Sequence, residues 1–160
     1  ETHVVIAVNE VRLGAEALRN PRINKVFVLY EFLPEFCTDA DQRTHSLPKE
    51  ERLLTYNFTR AFKVDNRDNR EARFKVSQMI RSTKEEEALI PLCLVSDVAQ
   101  GEDDFFEFGF CEIDLMQIVE DRRDMVAKPI DMMDRNGNVV ATVTVTVLAV
   151  QALQSILRDP

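Results

Sequence analysis

The amino-acid sequence predicts an all-β fold: an antiparallel β-sandwich of seven or eight strands with short helices. Three observations carry this. Strand-length segments alternate apolar and polar residues, most cleanly where Val139, Ala141, Val143, Val145 and Val147 face one way and Thr142, Thr144 and Thr146 the other. Asn136-Gly137 marks a tight hairpin, because both residues tolerate positive φ. The 160 residues show no repeat and no linker that would divide them, so 1–160 reads as a single domain.

The elements follow in order. His3 to Val8 is a strand with Val4, Ile6 and Val8 on one face; after Glu10 the apolar phase slips to Val11 and Leu13, which predicts a bulge. Lys25 to Leu33 is a second strand with Val26, Val28, Tyr30 and Phe32 inward, closed by Leu33-Pro34. Residues 34–52 are polar and loop-like. Leu54 to Val64 is the third strand, with Leu54, Tyr56, Phe58, Phe62 and Val64 on one face. Arg60 falls in that apolar phase, either as a snorkelling edge residue or as a partner-facing charge. Asp65 to Asn69 is a turn, and Ala72, Val76, Met79 and Ile80 predict a short amphipathic helix over 70–81. Glu85-Glu86-Glu87 reads as a solvated turn. Leu89 to Val95 is apolar on both phases, as a covered central strand should be. Phe106 to Leu115 is another strand, with Asp114 capping a short helix over Leu115 to Glu120. A short strand over 126–133, the hairpin, the alternating strand after it and a helix over 149–158 complete the chain.

Composition excludes several functions. The 20 Lys+Arg against 28 Asp+Glu give a net charge of −8, which repels phosphate backbones and anionic headgroups. Nucleic acid is therefore excluded as a partner and a membrane surface is disfavoured. The four glycines do not supply a glycine-rich nucleotide cradle. No apolar run approaches the ~20 residues of a membrane span. Cys37, Cys93 and Cys111 are odd in number and widely spaced, which speaks against a disulfide framework or a zinc site. His3 and His45 neighbour no nucleophile, so no catalytic residue is expected. The first residues, ETHVVIAV, run directly into strand-like sequence without a signal segment, which reads as a cytoplasmic domain excised from a longer protein.

Several motifs carry a resemblance. Leu92 to Asp97, an acidic loop, and then Phe108 to Leu115 resemble the strand, calcium loop and G-x-x-x-I-x-L strand of C2 domains. Val26-Phe27-Val28-Leu29-Tyr30-Glu31-Phe32 is similar to the V-Y-V-x-Y-x-F strand of the C-terminal C2-like domain of the retinitis pigmentosa GTPase regulator-interacting protein family. Tyr56 to Thr59, Phe74 to Ile80, Leu94 to Asp97, Phe108 to Phe110, Leu115 to Glu120 and Arg123-Asp124 continue in step with that family. The chain departs from it where Met116 stands in place of a Trp, and in residues 34–52. The resemblance implies a C2-like protein-interaction module of a ciliary transition-zone or basal-body scaffold, docking an RCC1-like β-propeller GTPase regulator or other transition-zone proteins.

C2 domains that hold Ca²⁺ converge several carboxylates from two loops, because the ion takes 6–8 oxygens. Here Ala99 interrupts the second loop between Asp97 and Glu102-Asp103-Asp104. Asn24 stands where the other loop would carry a carboxylate, and residues 14–23 hold only Glu16. Neither calcium nor any cofactor is expected. A peripheral membrane C2 domain binding phospholipid is the alternative.

The candidate partner-binding residues are Phe27, Leu29, Arg60, Phe105, Phe106, Phe108 and Phe110. If Gly109, Cys111, Ile113 and Leu115 face the core, Phe108 and Phe110 face outward; Phe27 and Leu29 do likewise on their strand. Exposed aromatics on a sheet face suit a partner, and the surrounding acid of the stretch Asp103 to Phe110 suits a basic one. The competing expectation is that flanking helices or the C-terminal tail cover these rings.

Overall fold

The computed structural model describes residues 2–98 and 104–158. Eight strands are present: β1 (His3–Leu13), β2 (Lys25–Tyr30), β3 (Leu47–Pro48), β4 (Leu53–Lys63), β5 (Leu89–Ser96), β6 (Phe106–Asp114), β7 (Met125–Met133) and β8 (Val139–Leu148). Four short helices join them: α1 (Ala15–Arg19), α2 (Arg70–Arg81), α3 (Leu115–Asp121) and α4 (Val150–Arg158). All strand pairs are antiparallel, in the order β3-β2-β5-β6-β7-β8-β1-β4.

This string of strands folds into two layers because β6 and β7 share a single backbone pair, Phe110 with Met133. β3-β2-β5-β6 form one layer and β7-β8-β1-β4 the other. Inward side chains of β2 and β4 meet between them. The Tyr30 ring lies edge-on to Phe58 and Phe62, and Phe32 to Phe62, at 5.1 Å for the last pair. The Tyr56 hydroxyl donates to the Val26 carbonyl across the same gap, and desolvation raises its pKa. The alternating positions of every long strand supply this core: Val26, Val28, Val143, Val145 and Val147 are fully buried.

Local chemistry sets the details. The bulge on β1 is present: Val8 pairs Val145 and Glu10 pairs Thr144, leaving Asn9 extra, and its Oδ1 accepts from Thr146 Oγ1 at 3.0 Å. Asp114 caps α3 by accepting from the Met116 N–H at 2.9 Å. The hairpin lies where the sequence places it, with a different turn. The Gly137 N–H donates to the Asp134 carbonyl, and only Gly137 is left-handed, at φ 83°. This is the longer hairpin loop in which one αL glycine follows an ordinary turn.

Two expectations are corrected. β2 ends at Tyr30 rather than Leu33, because Leu33 adopts φ 49° and starts a 3-10 turn over Pro34–Phe36. Phe32 nevertheless remains buried. The expected loop of 34–52 contains strand β3, whose Leu47 and Pro48 pair Val26 and Lys25. Between them the Thr44 N–H donates to the Val28 carbonyl and the Tyr30 N–H to the Gln42 carbonyl, so this segment covers the β2 edge. The opposite edge is β4, and no described strand lies beyond it.

α2 and α4 pack together on the flank. Arg73 donates to the Ser155 carbonyl and hydroxyl, and Arg81 to the Ile156 and Leu157 carbonyls at 3.2 and 2.9 Å. Two arginines thus satisfy the last carbonyls of α4, where cations also complement the helix dipole.

Candidate protein-interaction surface

The outward face of the β2-β5-β6 layer collects Phe27, Leu29 and Phe110. Phe27 lies opposite Val95, and Leu29 and Phe110 both pair Cys93. Phe27 points outward as the alternation requires, yet it is only 3 % exposed. The expectation of an exposed ring is corrected: Phe105 sits edge-on against it at 5.8 Å, and the Arg43 guanidinium stacks 3.6 Å above it. Phe105 itself is half exposed.

Phe108 is a second correction. Leu94 pairs Gly109 and Val95 pairs Glu107, so Phe108 is the extra residue of a bulge. The bulge turns it out of the alternating phase and into the core, where it is 6 % exposed. Phe106 stacks on it at 5.9 Å. Gly109 faces inward as expected; a Cβ there would meet Val140 and Leu94 side chains.

Phe106, Phe108 and Phe110 floor an open groove of about 270 Å³ with Ala17, Ile23 and Val140. Glu16, Glu107, Asp134 and Arg135 stand along it, and Arg22 reaches it over Phe106, three acids to two bases. Arg135 lies 4.8 Å over the Phe110 ring and 3.6 Å from Glu107, and Arg22 lies 3.8 Å over Phe106. Asp134 accepts from the Asn138 and Asn136 N–H groups, and these hold its carboxyl below the usual range. The groove is thus apolar at its base, with a mixed rim in which the acids outnumber the bases by one.

Arg60 stands apart from these residues, on β4 of the other layer. Its Nε lies 3.1 Å from Asp41, its guanidinium 4.3 Å from the Phe58 ring, and Nη1 donates to the Thr59 carbonyl. The structure therefore divides the seven candidate residues: Phe27 and Phe105 pack together with Leu29 on the same sheet face, Phe106, Phe108 and Phe110 line the groove, and Arg60 lies apart. The arginines that roof the aromatics, Arg22, Arg43 and Arg135, escaped the sequence reading. Their contacts join distant segments, and no local spacing signals them.

The three cysteines are free, and burial pushes the Cys93 and Cys111 thiols up to about 12, which leaves them protonated and unreactive at neutral pH. Among the described residues no three His, Cys, Asp or Glu side chains converge as a metal site. Ala99, Gly101, Glu102 and Asp103, on which the loop reading partly rests, lie outside the described residues. No described helix is long and apolar enough to cross a membrane.

A two-layer antiparallel sandwich with this connectivity is a domain of the C2 type. Similar solved structures include a chain described as "CC2D1B coordinates ESRCT-III activity during the mitotic reformation of the nuclear envelope", at TM-score 0.64 and 15 % identity. The match covers 97 % of this chain and 60 % of that one. A C2 domain-containing protein from a putative elicitor-responsive gene matches at TM-score 0.56 and 11 % identity over 91 % of this chain and 85 % of that one. A C2 domain of plant Extended Synaptotagmin 1 matches at TM-score 0.54 and 12 % identity, over 92 % of each chain. At such identities these likenesses concern the fold. The family is shown by sequence: residues 1–159 match the model described as "Retinitis pigmentosa G-protein regulator interacting C-terminal". The chain belongs to that family of C2-like protein-interaction domains.

Proposed function

We propose that this domain is a non-catalytic, calcium-independent adaptor in a scaffold of the ciliary transition zone or basal body. It docks a protein partner, an RCC1-like β-propeller GTPase regulator or another transition-zone protein. The family match over residues 1–159 carries this reading. The aromatic groove and its acids support the choice of surface: an apolar side chain of the partner enters beside Phe106 and Phe110, whose ring faces Arg22 and Arg135 cover, and basic residues meet Glu16 and Asp134. Phe105 and the Phe27 ring beneath it extend the contact, with Leu29 alongside.

Calorimetric titration with a recombinant RCC1-like propeller tests it. Phe105→Ser with Phe106→Ser is expected to weaken binding at least about tenfold while the circular dichroism spectrum stays unchanged. Unchanged affinity would reject this surface, and absence of binding by the unaltered domain would reject the partner. Pelleting with phosphatidylserine vesicles, or a micromolar calcium isotherm, would instead favour a membrane C2 domain.

A further inference from the structure

We propose that the open edge of β4 is a second docking site, one that accepts an extended acidic segment of a partner by strand addition. The backbone argues first. The Val64 N–H donates to the Thr2 carbonyl, so the antiparallel alternation makes Val4–Phe62 a bonded pair and Val5–Ala61 a non-bonded one. Thr59, Ala61 and Lys63 therefore turn their N–H and C=O groups away from β1, toward an edge that no described strand covers. The register shift at Tyr56–Asn57, where Asn57 has φ 47°, ends this regular alternation, so Thr59 to Lys63 offer the template.

Side chains supply the second, independent argument. A groove of about 790 Å³ runs between β4 and residues 40–45, lined by Tyr56, Asn57, Phe58, Thr59 and Arg60 on one side and by Ala40, Arg43, Thr44 and His45 on the other. Its lining carries Arg43 and Arg60, and the one carboxylate that reaches it is Asp41, 3.1 Å from the Arg60 Nε, which leaves an excess of positive charge there in a chain whose net charge is −8. The far wall is itself extended: Thr44 and Gln42 are bonded to β2, so the alternation turns the backbone of Arg43 away from β2 as well.

The charge selects the occupant. β4 carries Arg60 and Lys63 and no acidic residue, so pairing two copies edge to edge would oppose like charges. A carboxylate-bearing strand instead meets Arg43 and Arg60. Arg60 holds the site closed to unsuitable guests. Its guanidinium occupies the outward Thr59 carbonyl and pairs with Asp41, with side chains 39 % and 34 % exposed. Such an exposed pair exchanges readily, and a guest carboxylate can take the place of Asp41. This site extends the interaction-domain reading to the β4 edge; it adjoins the aromatic surface at Arg43, which also stacks on Phe27, and does not depend on the Phe106 groove.

Labelled eleven-residue peptides test it by fluorescence anisotropy: one alternating Glu with Val and Thr, one with Lys in place of each Glu, and one acidic but N-methylated at alternate residues. The acidic peptide should bind, with amide shifts confined to Thr55–Lys63 and residues 40–45. The Lys and N-methyl peptides should bind at least about tenfold more weakly, as should the acidic peptide to Arg43→Gln/Arg60→Gln. Phe106→Ser alone, which does not touch the Phe27–Arg43 stack, should leave this binding unchanged, which separates its failure from failure of the propeller reading. Equal binding of the Glu and Lys peptides, undiminished binding of the N-methyl peptide, or no binding would overturn the proposal. So would a β4-paired dimer in sedimentation velocity, or competition by phosphatidylserine vesicles.

Discussion

Gln42 shows how much one side chain can replace. Beyond the end of β2, Phe32 has no strand partner. The Gln42 amide supplies one: Phe32 N–H donates to its Oε1 at 2.8 Å, and its Nε2 donates to the Phe32 carbonyl at 2.7 Å. Gln42 is buried. Gln42→Ala should therefore strand two buried backbone groups and cost about 1–3 kcal/mol in urea unfolding, with an unchanged m value. An unaltered midpoint would contradict this account. Nothing in the sequence marks Gln42, because its role depends on where the polar loop folds back. The same limit explains Phe27 and Phe108. Alternation placed Phe27 on the outer face correctly, but the Arg43 roof joins residues sixteen positions apart in sequence. Phe108 was misplaced because a one-residue bulge inverts the alternating phase.

At the scale of elements, the long periodic segments were legible. The α2 limits, the β1 bulge and the Asp114 cap all followed from residue pattern. β3 and α1 were not, since two and five residues carry too little periodicity to read. α1 is seated by Gly14, whose N–H donates to the Val140 carbonyl at 2.7 Å. A Cβ at Gly14 would lie 2.8 Å from that same oxygen, and backbone cannot rotate aside as a side chain can. Gly14→Ala should lower stability by about 1–3 kcal/mol, visible in the thermal midpoint. Retention of the wild-type midpoint would show that the α1–β8 junction relaxes without cost. Because α1 and Val140 line the groove floored by Phe106, the same substitution displaces a wall of that surface.

For the whole molecule, the charge of −8 was the most accessible quantity and the least uniform in space. The groove between β4 and residues 40–45 holds Arg43 and Arg60 against the single carboxylate of Asp41, while at the one floored by Phe106 three acids outnumber Arg22 and Arg135. A sum over the sequence cannot show this segregation, because it arises from which loops converge. The acids also set the response to pH. Asp65 is held well below the usual carboxylate range, first by the Asp68 N–H and then by the Asn69 amide; Asp134 is lowered first by the Asn138 N–H. Asp41 is lowered first by the Thr38 N–H. Folded values below the unfolded one, near about 3.9, mean stabilisation that is complete above that pH and lost as pH falls through the folded values. The thermal midpoint should drop between about pH 5 and 2, and Asp65→Asn/Asp134→Asn should flatten that fall. Parallel profiles for the two proteins would refute the assignment.

The pairing of β1 with β8 also governs how the domain would carry load. Val5 lies opposite Leu148, so the beginning of β1 and the end of β8 sit side by side at one end of the ladder. Tension between them opens the ladder one rung at a time instead of shearing all rungs together, which makes it a compliant joint. Force arriving from beyond Leu148 first meets α4, held at its last carbonyls by Arg73 and Arg81. That helix is the catch that must slip before the clasp can open.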